Sequence, residues 1–172
     1  LLPAAVEKYA KNIEHSSGLV IDFITNRPVT GIRSGILGVD VPIWARFQSS
    51  ADPLFAPAGK YLSTWGIMLP WHFDGDASVV AGAEQKMKSV ISAVFPDFLP
   101  AVVDERKMVA TVMNGNVLTP AQSKPNRPDV ECPGIEGLYF IGDTVRGDGC
   151  SGDISFSSAM KAADRILSDR KP

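Results

Sequence analysis

The stretch GIEGLYFIGDTVRGDGCSGDISFSSAMKAADRIL, residues 134–167, decides how this chain is read. Leu138-Tyr139-Phe140-Ile141 is an apolar run too short for a helix and bracketed by Gly137 and Gly142, so it reads as a buried strand. Asp143 follows at the carboxyl end of that strand, where open α/β sheets hold their ligands. Gly147, Gly149 and Gly152 permit tight bends and a close approach of backbone to a ligand. From about Asp153 the apolar residues recur at Phe156, Ala159, Met160, Ala163, Ile166 and Leu167, the spacing of one helical face. The first N–H groups of such a helix point back toward the glycine-rich turn and favour a negative group there.

Working outward, the run Gly137-Leu138-Tyr139-Phe140-Ile141-Gly142-Asp143, followed by Gly149-Cys150-Ser151-Gly152-Asp153, resembles the carboxyl-terminal flavin motif of the phytoene desaturase-like and amine oxidase-like FAD oxidoreductases. The resemblance implies a cofactor, FAD, held by Gly142, Asp143, Gly149, Gly152, Asp153 and Ile154. In that family pattern Asp143 hydrogen-bonds the ribityl or phosphate region. Backbone N–H groups near Gly152, Asp153 and Ile154 face the pyrimidine edge of the ring, where reduced flavin carries negative charge. The other reading is an ordinary strand–turn–helix with a capping Asp.

The resemblance extends more weakly over residues 40–133. Asp52-Pro53-Leu54-Phe55-Ala56-Pro57-Ala58-Gly59-Lys60, a helix ending in Phe95-Pro96, and Arg127-Pro128 all have counterparts in the family's substrate domains and their links to the flavin motif. What this implies is oxidation, as a desaturation, of a small apolar and isoprenoid- or carotenoid-like substrate, with hydride passing to flavin. A flavin-dependent isomerase or saturase, an amine oxidase on the same scaffold, and a non-catalytic folded module that binds no flavin stay open. Lys60 and Lys124 are the candidates for the flavin-N5 lysine of amine oxidase relatives; no catalytic acid or base stands out.

Family members open with a strand–G-x-G-x-x-G–helix unit for the FAD pyrophosphate. The formal match at residues 147–152 lacks the second strand and the acidic residue about 20 positions on that such a unit needs, and none lies in the first half. The expectation is therefore the carboxyl-terminal part of a larger flavoprotein, whose partner is the missing amino-terminal FAD-binding portion. This chain alone is expected to retain little or no FAD and no turnover.

With 172 residues, 45% hydrophobic and 21% charged, the composition is that of an ordinary globular protein. A net charge of -2 leaves no basic footprint for nucleic acid. No run approaches the roughly 18–20 apolar residues of a membrane span, so the expected location is cytoplasmic, with peripheral membrane contact and a homodimer left open. Two cysteines, Cys132 and Cys150, form neither a disulfide framework nor a metal spacing, and His15 and His72 are too isolated to suggest a metal; none is expected.

Along the chain, residues 3–14 read as a helix, 18–24 as a strand, 41–49 and 60–69 as two more, and 77–95 as a helix capped by Asp76 and stopped by Pro96. Its stripe is Val80, Ala83, Met87, Val90, Ile91 and Val94. Within 102–113 a strand is expected near 107–112, and 114–133 reads as a proline-rich loop. The expected fold is α+β: residues 1–113 a mostly antiparallel sheet with a covering helix, residues 114–172 the terminal strand, glycine-rich turn and helix of an FAD-binding domain. Trp44, Phe47, Trp65, Met68, Trp71 and Phe73 are either core or an apolar substrate wall; the sheet face each occupies decides.

Overall fold

The computed structural model describes residues 2–117 and 119–169. In chain order the main elements are α1 (Ala4–Lys11), β1 (Ser16–Thr25), β2 (Gly35–Leu37), β3 (Ile43–Arg46), α2 (Gln48–Ala51), β4 (Tyr61–Met68), α3 (Ala77–Val94), α4 (Phe98–Ala101), β5 (Val102–Asn114) and α5 (Gly152–Asp169). The chain divides into two compact units, Ser17–Met113 and Leu1–Ser16 with Asn114–Pro172. Residues 1–16, expected as a helical start within a 1–113 region, group with residues 114–172.

The Ser17–Met113 unit is α+β, with a five-stranded antiparallel sheet in the order β2-β3-β4-β1-β5. The central pair is set by alternation in β1: Leu19, Ile21 and Phe23 are fully buried on one face, opposite Ile67, Trp65 and Ser63 of β4. α3 covers that face through Met87 and Ile91, both fully buried. Its start is fixed by Asp76, whose carboxylate accepts the Ser78 N–H at 2.8 Å. Its end is fixed by Pro96, which cannot continue the hydrogen-bond ladder and disfavours helical geometry at Phe95. Edge-to-face rings tie the layers together: Trp65 to Phe98 at 5.4 Å, Phe23 to Phe98 at 5.5 Å and Phe47 to Trp65 at 5.7 Å.

β5 runs the full Val102–Asn114, longer than the expected 107–112. Its charged opening, Asp104-Glu105-Arg106-Lys107, is a poor intrinsic strand. Tertiary partners supply what propensity lacks. Glu105 and Lys107 join Glu84 and Lys88 of α3 in a four-membered ion network with N···O distances of 2.8–3.5 Å. β3 is shorter than the expected 41–49, because Phe47 turns into the core and the chain then coils into α2.

In the Leu1–Ser16 and Asn114–Pro172 unit two expectations are corrected. Leu138–Ile141 is not a strand: the segment is extended, but it forms a single bridge, Glu131 to Tyr139, flanked by Cys132 N–H to Leu138 O (2.9 Å) and Phe140 N–H to Val130 O (2.7 Å). A strand requires a partner over several residues, and only residues 130–132 run beside it among the described residues. The second correction is the face of α5. Phe156, Met160 and Leu167 are 78%, 66% and 65% exposed, whereas Ile154, Ser158 and Ala162 are buried. The buried stripe has i, i+4, i+8 spacing but is made of mostly small residues, which let the helix approach Val130, Val145 and Gly147 closely. A Cβ at Gly147 would overlap the Ile154 carbonyl.

Candidate functional site

The segment from Gly142 to Ile154 carries all the residues expected at a cofactor, and they lie within one unit. Gly142 has φ 128°, a conformation L side chains rarely adopt, and it turns the extended segment 138–141 into the loop. Ser158 of α5 holds that turn. Its hydroxyl accepts the Gly142 N–H at 3.0 Å, and its proton lies toward Ser155 O at 2.9 Å and Gly142 O at 3.1 Å.

Asp143 is half-buried. One carboxylate oxygen accepts the Gly115 N–H at 3.1 Å, and its backbone carbonyl accepts Asn116 Nδ2 at 3.1 Å. No cation pairs with this carboxylate among the described residues. A carboxylate offers about four acceptor positions, so capacity remains for hydroxyl donors. Tyr9 of α1 lies in the same electrostatic neighbourhood. Burial pushes its phenol up, Arg127 pulls it down and Asp143 pushes it up again, and its buried hydroxyl has no protein hydrogen-bond partner among the described residues.

The glycine-rich turn is shaped by Gly149, at φ 90°, where a side chain would run into Asp153. Ser151 takes φ 48°, and its hydroxyl donates to Asn114 Oδ1 at 3.2 Å. At the start of α5 the Asp153 N–H donates to Cys150 O and the Ile154 N–H to Ser151 O, both at 3.1 Å. Those two groups are thus engaged within the turn, and the Ile154 side chain is 1% exposed and faces inward. The Gly152 N–H takes no protein acceptor among the described residues, and open space surrounds the position of its missing Cβ. Gly152 and Asp153 are exposed. What this arrangement offers is one free N–H, the positive end of an 18-residue helix, and one carboxylate with spare acceptor positions.

The loop before the motif is organised by two buried polar residues. Gln122 is 3% exposed; its amide nitrogen reaches Glu14 O, Asn116 Oδ1 and Val117 O at 2.7–3.0 Å, and its oxygen accepts the Glu14 N–H. Arg127 is also 3% exposed and donates from Nε to Gln122 O at 2.8 Å. Ser158, Gln122 and Asn116 were not singled out in the sequence. A lone polar residue in a helix or a proline-rich loop carries no sign of burial until its partners are placed.

The remaining candidates separate cleanly. Lys124 pairs with Asp148 in the glycine-rich turn, and Lys161 of α5 reaches the other Asp148 oxygen at 2.9 Å. These two ammonium groups hold the Asp148 carboxyl down to about 2. Lys60 is exposed and belongs to the other unit. His15 and His72 are exposed, Cys150 is exposed and Cys132 buried, and no group of residues suited to a metal occurs among those described. No described helix is long and apolar enough to cross a membrane.

For the aromatics, sheet face decides. Phe47 and Trp65 are core, and Phe73 packs against it. Trp71 is 51% exposed. Trp44 and Met68 belong to the opposite face, along with Val20 and Ile24. There the Trp44 indole lies over Gly66 and Met113 lies over Gly18, in each case filling the space a Cβ would need. One polar group interrupts this face: Asp22 accepts the Thr64 hydroxyl at 2.5 Å, and Gln48 donates to that hydroxyl at 2.6 Å.

Neither a protein-family model nor a curated protein sequence matches the chain. Among solved structures it is similar to an oxidoreductase from Methanosarcina mazei, with a TM-score of 0.66 and 21% identity. The likeness covers 94% of this chain and 37% of that one, so the chain spans little more than a third of the length of the protein it matches. At this identity what the two share is the fold.

Proposed function

We propose that the chain is part of an FAD-dependent oxidoreductase acting on an apolar substrate, with the Gly142–Ile154 segment at the flavin. The observation that carries this reading is the Asp143 carboxylate. It is half-buried, tied to one backbone N–H and unpaired by any cation among the described residues, and it stands in the same segment as the exposed start of α5. Its spare acceptor positions suit the hydroxyls of a ribityl chain or ribose. The free Gly152 N–H and the helix dipole suit negative charge, and they would hold it more favourably as the ring is reduced. FAD, when bound, supplies the hydride acceptor; the chain's residues orient it and stabilise its charge. The fold shared with an oxidoreductase supports the reading at the level of architecture.

For the substrate, the sheet face carrying Val20, Ile24, Trp44, Met68 and Met113 is an apolar wall in which Trp44 lies over Gly66 and Met113 over Gly18. A wall of that kind suits a flat or extended hydrocarbon, and its one carboxylate, Asp22, is engaged by the Thr64 hydroxyl.

The test begins with the coding sequence upstream of Leu1. A strand–G-x-G-x-x-G–helix there, and a yellow protein when the whole frame is expressed, are the expected results. In that protein Asp143→Ala should cut the flavin content at least about tenfold, the loss of one or two charge-assisted hydrogen bonds. A colourless full-length protein, or one whose flavin content ignores Asp143→Ala, refutes the reading.

A further inference from the structure

Beside the glycine-rich turn lies a cavity of about 250 Å³, lined by Thr119, Ser123, Lys124, Arg127 and residues 147–149. We propose that it is a binding site for a phosphate-class oxyanion. The central observation is Arg127. Arg127 is 3% exposed, lines the cavity, and pairs with no carboxylate among the described residues. One of its five N–H donors is used, by Nε to Gln122 O. A buried guanidinium without an anion is costly to keep, and its planar fork matches phosphate oxygens.

The rest of the lining agrees. The N–H groups of Gly147 and Gly149 take no protein acceptor among the described residues, whereas the Asp148 N–H between them is accepted by Ser157 Oγ at 2.6 Å. The Thr119 hydroxyl accepts the Gln122 N–H at 3.3 Å and keeps its own proton to donate. The two free backbone N–H groups of this glycine turn, one on each side of Asp148, add donors to the lining. One group opposes an anion, the Asp148 carboxylate. It is engaged by Lys124 and Lys161, so the rim carries two cations against one anion, with Arg127 beneath them. Lys124, exposed and joined to Asp148 at the surface, is free to turn toward an incoming phosphate.

This inference needs no flavin, and its probe is inorganic pyrophosphate titrated into the chain with the Gly147 and Gly149 amide resonances followed by NMR. Saturable shifts centred on those amides are expected, beyond those caused by sodium chloride of equal ionic strength. Lys124→Gln should weaken binding about tenfold or more, as loss of a charge-assisted contact does. Asp148→Asn should tighten it severalfold, because it removes the carboxylate that competes for Lys124. Arg127→Lys, which keeps the charge and loses the fork, should weaken it, with the undisturbed remainder of the spectrum showing that the fold is intact. Tighter binding of ADP than of an alkyl diphosphate would assign the site to a nucleotide cofactor, and the reverse order to a phosphorylated substrate; either supports the site. No saturable shift up to about 10 mM pyrophosphate, or an Asp148→Asn variant that binds more weakly, overturns it. A failure of flavin binding in the full-length protein leaves this result untouched.

Discussion

Replacing Ser158 with Ala tests the most specific structural claim about the turn, that one buried hydroxyl fixes Gly142 against α5. Ser158 is fully buried, and its oxygen is the acceptor of the Gly142 N–H at 3.0 Å. In the variant three hydrogen bonds disappear, but their costs differ. Ser155 O lies inside the helix and remains paired through the backbone ladder. Gly142 O still faces the Val145 N–H at 3.4 Å. The Gly142 N–H is left with no protein acceptor, and an unsatisfied buried donor costs about 1–3 kcal/mol. Gly142 is only half-buried, and Ala is a better helix former than Ser by about 0.5 kcal/mol. The net expectation is about 1–2 kcal/mol, a five- to thirtyfold change in the local opening equilibrium.

The assay is native-state amide exchange, because two compact units make a single unfolding free energy poorly defined. Exchange of the Gly142 amide and of the first turns of α5 should accelerate by that factor, while β1 and β4 in the other unit keep their protection. Ser168→Ala is the control on the same helix: its hydroxyl bonds only Arg165 O, at 2.8 Å, and is exposed, so its effect should stay within about 0.5 kcal/mol. If Ser158→Ala is no more disruptive than Ser168→Ala, the hydroxyl does not hold the turn and the account of Gly142 is wrong.

Met87→Ala, which empties a fully buried position between α3 and the sheet, should lower stability by about 2–5 kcal/mol, read as a loss of protection across β1 and β4. Gly66→Val would force the Trp44 indole off the sheet and should cost about 1–3 kcal/mol and change the tryptophan fluorescence; an unaltered spectrum would show the ring does not sit there. Glu84 is held below its ordinary value of 4.5 by hydrogen bonds from Lys88 and Lys107. Its contribution is therefore complete above about pH 4.5 and lost as pH falls through the lower folded value. Glu84→Gln should cost about 0.2–1 kcal/mol at pH 7 and nothing at the acid end, so the two urea midpoints converge on acidification. At the alkaline end the sign reverses: Lys88 and Lys107 are raised above 10.5, so their contribution is complete below that pH and fades as pH climbs through the folded values.

The helix α3 was legible because three local signals agree, the Asp76 cap, the Met87–Ile91 stripe and the Pro96 stop. β1 and β4 were legible because alternation and β-branched content point the same way. β5 was only half legible: residues 104–107 are charged, and what makes them strand is the edge beside β1 and the ion network to α3, neither of which has a signature in the local sequence. At the site, Asp143 and the glycines could be named from order and type. Ser158 and Gln122 could not, and Arg127, quoted only in the pair Arg127-Pro128, gave no sign that it is buried and unpaired, since burial of a polar side chain is a property of its neighbours.

Elements whose cause is local can be read from the chain alone: period, caps, breakers, and the glycines that a left-handed turn requires at Gly142 and Gly149. Which side of each element lies inside is settled by packing. α5 shows why. Its larger apolar residues, Phe156, Met160 and Leu167, form the more hydrophobic stripe, yet Ile154, Ser158 and Ala162 face inward. Hydrophobicity is a property of one residue, but burial is a matter of how closely two backbones can come. A close approach to Gly147 and Val145 selects the stripe with the smaller side chains.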